Sequence, residues 1–262
     1  MSELMVNDLT FQPKRSKKEI LKQISETFVE GEFYGILGPN GSGKTTLIRH
    51  LLGLLKVQSG DITLENRQLE GYRKKELATK ISFVPQNTFI DAEFTVYDIV
   101  AMGRTPYHSN FKGLSIAEEK LIYEAMDITN TSAYKDKFMN QLSGGEAQRV
   151  LVARAIAQDT PWMILDEPIS HLDIKHQIEL METLRRLNQT KKKTIIAILH
   201  DINLTSAYCS RVVLLRNGRI YDSGKTTEVL TAANLSEVYG IDFSVQQEEG
   251  TTRLHYFPIV SQ

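Results

Sequence analysis

The run Gly38-Pro39-Asn40-Gly41-Ser42-Gly43-Lys44-Thr45-Thr46 constrains the fold more than any other stretch, because of what lies on either side of it. Ahead of it, Phe33-Tyr34-Gly35-Ile36-Leu37 is a short aromatic and branched run that suits a buried strand. Behind it, Leu47, Ile48, Leu51, Leu52 and Leu55 recur at helical spacing. The pattern G-x-x-x-x-G-K-S/T therefore sits between a strand and a helix, where a phosphate-binding loop belongs. Glycines let backbone N–H groups turn inward around a β-phosphate, and the helix adds its positive N-terminal end. Lys44 would reach the β- and γ-phosphates, and Thr45 would place its hydroxyl on Mg²⁺. The competing reading is a glycine-rich turn that happens to carry a lysine.

Composition narrows the classes around that loop. A chain of 262 residues, 41% of them apolar, is long enough for one large α/β domain with a subdomain. Lys plus Arg number 31 against 32 Asp plus Glu, so no field of one sign argues for nucleic acid or an anionic membrane surface. Cys209 is the single cysteine and has no partner in the chain, which fits a reducing compartment. Thr194 to Leu199 and Val212 to Leu215 are the most apolar runs, far short of the roughly 18 residues a spanning helix needs. Glu3 and Asp8 flank a short apolar patch at the start, which does not read as a secretory signal.

Taken in order, Leu4 to Phe11 and Ile24 to Phe28 read as strands around the basic turn Pro13-Lys14-Arg15-Ser16-Lys17-Lys18. Phe11 has two readings, a core residue or a ring that stacks on a nucleotide base. Gly60 to Leu64 and Lys80 to Val84 are further strands, the second followed by Pro85-Gln86. Gln86 is a polar amide just past a strand end, well placed for a ligand. From Thr95 to about Gln158 the texture is helical: Val96, Ile99 and Val100 share a face, and Ser115 with Glu118 forms a capping box. Gly144 opens another helix; Trp162 to Glu167 is an apolar strand; a helix from Ile174 puts Ile178, Met181, Leu184 and Leu187 on one stripe. Thr194 to Leu199 is a buried strand ending at His200. Asn217-Gly218 predicts a hairpin between Arg211–Arg216 and Arg219–Asp222. Thr226 to Tyr239 predicts one helix stopped by Gly240, and Phe243–Gln246 with Arg253–Phe257 a closing hairpin through Glu248-Glu249-Gly250-Thr251. Strand and helix alternation predicts a mostly parallel sheet covered on both faces.

Phosphoryl transfer to water needs a metal, a positioned water and charge stabilisation. Asp166 and Glu167, adjacent at the end of a buried strand, suit Mg²⁺ binding and the attacking water; as a bland alternative they cap a turn. His200 ends the next strand and could hydrogen-bond the γ-phosphate or that water. Leu142-Ser143-Gly144-Gly145-Glu146 makes a second anion-binding corner at a helix start, with a plain capped helix as the alternative. A second phosphate corner is hard to use within one chain. It suggests two copies meeting head to tail and sharing two ATP molecules.

These residues together resemble the ATP-binding subunit of an ABC transporter. Gly38 to Thr45 is similar to the Walker A motif, Gln86 to the Q-loop, and Leu142 to Glu146 to the signature. Met163 to Glu167 resembles Walker B with its catalytic glutamate, Ser170-His171-Leu172-Asp173 the D-loop, and His200 the switch histidine. The resemblance implies a RecA-like P-loop NTPase core of about 1–88 and 159–225, with an N-terminal antiparallel β region. An inserted helical subdomain would span about 89–158, and a short C-terminal helix and hairpin about 226–262.

It further implies a homodimer that sandwiches ATP and Mg²⁺. Gly38 to Thr46 hold the phosphates and Phe11 stacks on the base. Ser143, Gly144 and Gly145 of the second copy close the site. Thr45, Gln86 and Asp166 hold the metal, while Glu167, His200, Lys44 and Gln86 carry catalysis. Partners would be two membrane permease subunits and an extracytoplasmic substrate-binding protein, with no nucleic acid, at the cytoplasmic face of the membrane. Glu146 stands where many relatives have glutamine. Val100 to Tyr107, Leu172 to Gln177 and His200-Asp201-Ile202-Asn203 resemble the group that imports ferric siderophores, haem and cobalamin. A ferric siderophore is the favoured cargo, haem or cobalamin the alternative, and a soluble single-cassette ATPase of an assembly process the alternative class.

Overall fold

A computed structural model describes residues 2–14, 16, 18–86, 93–108, 113–170, 172–248 and 254–259. Arg15 and Lys17 of the basic turn, His171 of the predicted D-loop, and 249–251 and 253 of the closing hairpin lie outside the described residues. In chain order the elements are β1 (Glu3–Phe11), β2 (Leu21–Val29), β3 (Phe33–Leu37), α1 (Lys44–Leu51), β4 (Ser59–Leu64), β5 (Arg67–Gln68), α2 (Lys74–Leu77) and β6 (Ile81–Val84). Then come α3 (Val96–Ala101), α4 (Ile116–Ile128), α5 (Gly144–Ala157), β7 (Trp162–Asp166), α6 (Ile174–Lys191) and β8 (Thr194–Ile198). The chain continues with α7 (Ile202–Tyr208), β9 (Arg211–Arg216), β10 (Arg219–Lys225), α8 (Thr226–Val229), α9 (Ala232–Tyr239), β11 (Phe243–Gln247) and β12 (Leu254–Pro258).

The chain divides into two compact units, 1–72 with 194–262, and 73–193. In the first unit β1, β2, β4 and β5 make an antiparallel sheet in the order β2-β1-β4-β5. A second sheet centres on β3, whose five residues are all buried; it pairs in parallel with β8 on one side and β9 on the other. Such a strand has no solvent face to alternate with, which is why Phe33 to Leu37 reads as one apolar run. Gly35 explains why the run contains a glycine. A Cβ there would lie 2.6 Å from Thr205 Cγ2, so α7 rests directly on β3.

Asn217 and Gly218 both have positive φ, 51° and 81°, as the tight β9–β10 turn requires. β10 runs on to Lys225, three residues beyond the predicted end. The helix predicted over Thr226 to Tyr239 is two pieces. Leu230 leaves the helical region at φ −80°, ψ 78°, and the Thr231 side chain caps a new helix by accepting from Asn234 N–H. α1 stops at Leu51, so Leu55 follows the helix instead of extending it.

In the second unit β6 and β7 run parallel, with Val84 opposite Leu165. α5 packs against α3, α4 and β6, and it buries Val150 to Ala153 and Ala155 to Ala157, apolar nearly all round as a central helix should be. The 3₁₀ turn Met102–Tyr107 sits on the end of α5: a Cβ on Gly103 would lie 2.4 Å from Arg154 O. Beside it the buried Arg104 guanidinium donates to the carbonyls of Ala157 (2.8 Å) and Gln158 (3.2 Å). Ser115 and Glu118 form the predicted capping box on α4. Met181, Leu184 and Leu187 of the α6 stripe are buried, whereas Ile178 keeps 38% of its surface exposed. No helix among the described residues is long and apolar enough to cross a membrane.

Candidate functional site

In the first unit β3 delivers the chain into the loop at Gly38, whose φ of +146° and close approach to β9 exclude a side chain. A Cβ would lie 2.1 Å from Leu215 O. Gly43, at φ +107°, is the N-cap of α1; no side chain caps this end and no acidic residue stands in the first turn. The N-cap therefore offers no side-chain acceptor to the first N–H groups of α1, and the dipole favours an anion. The Gly218 N–H of the β9–β10 turn donates to Ser42 O (3.1 Å) and steadies the loop from below.

Lys44 is buried, and its Nζ donates to Gly38 O (2.7 Å) and Pro39 O (3.1 Å), the ammonium folded back onto the loop. Ser42 Oγ is buried without a hydrogen-bond partner, an unusual state for a hydroxyl and one that a phosphate oxygen would relieve. Asn40 and Gly41 are exposed at the tip, with Pro39, Thr45 and Thr46 half-buried. Phe11 is half-buried, its ring 4.7 Å from that of His50 in an edge-on contact. His200 is exposed, just beyond β8, where Leu199 N–H donates to Ile36 O (3.2 Å).

The second unit holds the carboxylates. Asp166 ends β7 and is 5% exposed. Glu167 follows with φ +51°, a left-handed conformation that costs a non-glycine residue of order 1 kcal/mol and is held here by its surroundings. Its carbonyl accepts from Ser170 Oγ (3.1 Å), and its Oε2 accepts from Gln86 Nε2 at 2.6 Å. The parallel register sets that contact: with Val84 opposite Leu165, two residues further puts Gln86 opposite Glu167.

Ser143 caps α5 in a reciprocal box with Glu146. Glu146 Oε2 accepts from Ser143 N–H and from Ser143 Oγ, both at 2.8 Å, and Ser143 Oγ accepts from Glu146 N–H. These donors, the Ser143 backbone first, hold the Glu146 carboxyl below its usual range. The predicted anion corner thus already binds a carboxylate of its own chain. Ser143, Gly144 and Gly145 line a cleft of about 460 Å³ together with Arg149, Asp173 and His176. Asp173 caps α6 through His176 N–H (2.9 Å), the chief cause of its lowered carboxyl pKa, and also meets His176 Nδ1 (2.9 Å).

Arg149 escaped the sequence reading, and His176 enters it only within Leu172 to Gln177, the run that resembles the importer group. Arg149 is four residues past Gly145, hence on the same face of α5, and that spacing was the available signal. The structure brings Gln86 to Glu167 and Ser143 to Asp173 of the predicted D-loop within the second unit, and it places Gly38 to Thr46 and His200 in the first.

Residues 21–170 match the family described as ABC transporter. The chain is 37% identical to the petrobactin import ATP-binding protein YclP of Bacillus subtilis (strain 168), over 87% of this chain and 90% of that one. It is 36% identical to the ferric enterobactin transport ATP-binding protein FepC of Escherichia coli (strain K12), over 86% and 83%. Among solved structures it is similar to a candidate metal-chelate type ABC transporter in an inward-facing conformation, with TM-score 0.86, 28% identity, and coverage of 99% and 98%. The chain belongs to the ABC transporter family.

Proposed function

We propose that this ATPase drives uptake of a ferric siderophore, working as a homodimer beneath two permease subunits at the cytoplasmic face of the membrane. An extracytoplasmic substrate-binding protein would deliver the cargo. The observation that carries the nucleotide chemistry is the loop itself: Gly38 and Gly43 in conformations closed to side chains, an uncapped α1, and a buried Ser42 hydroxyl without a partner. The cargo reading rests on the likeness to proteins that import petrobactin and ferric enterobactin.

On this reading ATP is the substrate, its phosphates cradled by Gly38 to Thr46 and its base stacked on Phe11. Lys44 exchanges the carbonyls of Gly38 and Pro39 for β- and γ-phosphate oxygens. Thr45, Asp166 and Gln86 offer a hydroxyl, a carboxylate and an amide oxygen, hard donors that suit Mg²⁺, which when bound neutralises charge on the phosphate oxygens. Glu167 accepts a proton from the attacking water, oriented by Gln86. His200 hydrogen-bonds the γ-phosphate or that water. Ser143, Gly144 and Gly145 of the second copy close on the γ-phosphate, so dimer closure reports ATP. The assignment of 89–158 as a permease-docking subdomain belongs to the same reading.

The test is uptake of radiolabelled ferric siderophore, haem and cobalamin by cells carrying either the native chain or Lys44→Ala. Loss of ferric-siderophore uptake alone is the expected result. Selective loss of haem or cobalamin would reassign the cargo, and equal entry of all three in both strains would refute the importer reading.

A further inference from the structure

His200 is an exposed residue between β8 and α7, and α7 is too short to be stable alone and buries only Thr205 fully. What fastens that helix therefore contributes to the position of His200. Upstream, Leu199 N–H is bonded to Ile36 O of β3. Downstream, Asp201 caps the helix through Leu204 N–H (2.8 Å), and its carbonyl takes the Thr205 hydroxyl (2.7 Å).

Thr205 packs against Gly35 of β3, and a further fastening is Asn203, two residues from the cap. Its Oδ1 accepts from Tyr256 N–H at 2.8 Å and its Nδ2 donates to Tyr256 O at 3.3 Å. An amide that satisfies both backbone groups of one residue acts like one rung of a β-ladder, and it fixes orientation as well as distance. β12, to which Tyr256 belongs, is anchored in turn. It pairs with β11, and Phe243 N–H of β11 donates to Ser236 Oγ on α9 (2.9 Å). α9 is tied to β9 by the Glu237–Arg216 ion pair, and its Tyr239 hydroxyl meets the backbone of Gly38. The C-terminal segment thus grips the phosphate loop at one end and the helix behind His200 at the other.

We propose that Asn203 is a positioning residue for ATP hydrolysis, which fixes His200 by fastening α7 to the backbone of β12. The inference rests on the reading that His200 takes part in the reaction, and on nothing about the cargo. It gives the fourth residue of His200-Asp201-Ile202-Asn203 a task separate from that of the histidine.

The test uses the purified full chain with ATP and Mg²⁺, measuring kcat, KM and melting temperature for Asn203→Ala, Asn203→Asp, His200→Ala and the doubled variant His200→Ala with Asn203→Ala. Asn203→Ala is expected to lower kcat about tenfold, within the range that misplacement of a reacting group produces, while KM moves less than about twofold. In the His200→Ala background the same change should cost less than about twofold, because Asn203 acts through His200. A full loss that persists without the histidine would mark Asn203 as merely structural and overturn the proposal. Native kcat in Asn203→Ala beside a low kcat in His200→Ala overturns it while leaving the role of His200 intact. An unchanged kcat in His200→Ala removes both. Should Asn203→Ala fail to fold, Asn203→Asp carries the test, since it keeps the acceptor for Tyr256 N–H. A kcat between native and His200→Ala, with no further loss when Asn203→Asp is added to His200→Ala in a second doubled variant, is then the supporting result, and an additive loss the overturning one.

Discussion

The contact between Gln86 and Glu167 sets the most direct prediction. At 2.6 Å it is a short bond from a neutral amide to a carboxylate, between two half-buried side chains. Bonds to a charged group contribute about 1.5–3 kcal/mol, and partial exposure places this one near the lower end. Gln86→Leu keeps the bulk and removes the donor, freeing the Glu167 carboxylate to leave the orientation proposed to serve the attacking water. If the whole of ~1.5 kcal/mol is expressed in the transition state, kcat falls about tenfold, since 1.36 kcal/mol is a factor of ten. The assay is steady-state phosphate release at saturating ATP, repeated over a Mg²⁺ titration. A tenfold lower kcat that excess Mg²⁺ does not restore is the expected outcome. Recovery at high Mg²⁺ would mean that Gln86 serves as a metal ligand alone, and a native kcat at every Mg²⁺ concentration would refute the positioning of Glu167 by Gln86 altogether.

Other outcomes follow from single contacts. Lys44→Ala should abolish hydrolysis, and native turnover in that variant would remove the phosphate loop from the reading. Glu167→Gln, which keeps an acceptor for Gln86 but not a base, should trap an ATP-bound dimer; light scattering that still shows a monomer with ATP and Mg²⁺ would count against the sandwich. Gly103→Ala forces a Cβ to 2.4 Å from Arg154 O, and overpacking of this kind costs about 1–3 kcal/mol, read as a lower urea midpoint with native turnover per folded molecule. The capping bonds to Glu146 depress its folded-state carboxyl pKa, so they stabilise α5 above the ordinary carboxylate pKa and lose that effect as pH falls through the lowered value. The stability gap between the native chain and Ser143→Ala should therefore shrink on acidification through that window, and a gap that grows would contradict it.

The phosphate loop, the parallel strands and the carboxylate pair were legible because each is a local pattern: an apolar run, a glycine spacing, a polar residue where a strand ends. What stayed hidden depends on partners that sequence does not name. Gln86 meets Glu167 only because the β6–β7 register puts them level, and nothing local to either residue states that register. Asn203 binds the backbone of a residue 53 positions away, so no side-chain pattern announces it. Thr226 to Tyr239 reads as one helix by composition, yet Asn234 Nδ2 bonds Val229 O and Asp222 Oδ2, and these contacts hold the break at Leu230. Gly103 and Arg104 belong to the run that resembles the importer group, and in the structure both pack on the end of α5, where Arg104 also meets Tyr107 and Glu118. Met102 and Tyr107 of the same stretch stay about two-fifths exposed, and Thr105 is exposed as well.

Three groups assigned to the reaction already have partners within the chain. Lys44 donates to loop carbonyls, Ser143 donates to Glu146, and Glu167 accepts from Gln86. Nucleotide binding is then an exchange of hydrogen bonds, and the net gain is the difference between a phosphate oxygen and the acceptor it replaces. For Lys44 that difference is large, because a neutral carbonyl gives way to an anion. For Ser143, on the proposed sandwich, it is small, because one anion gives way to another, and the displaced Glu146 carboxylate would also have to leave the neighbourhood of the γ-phosphate or repel it. Glu146→Gln removes that repulsion while keeping an acceptor for Ser143. It should therefore tighten the ATP-dependent dimer several-fold without altering ATP affinity of the single subunit, where Ser143 of a second copy has not yet arrived. Sedimentation equilibrium with a nonhydrolysable ATP analogue measures the first and nucleotide fluorescence titration the second. A dimer no tighter than that of the native chain would mean that Glu146 leaves the cap without electrostatic cost.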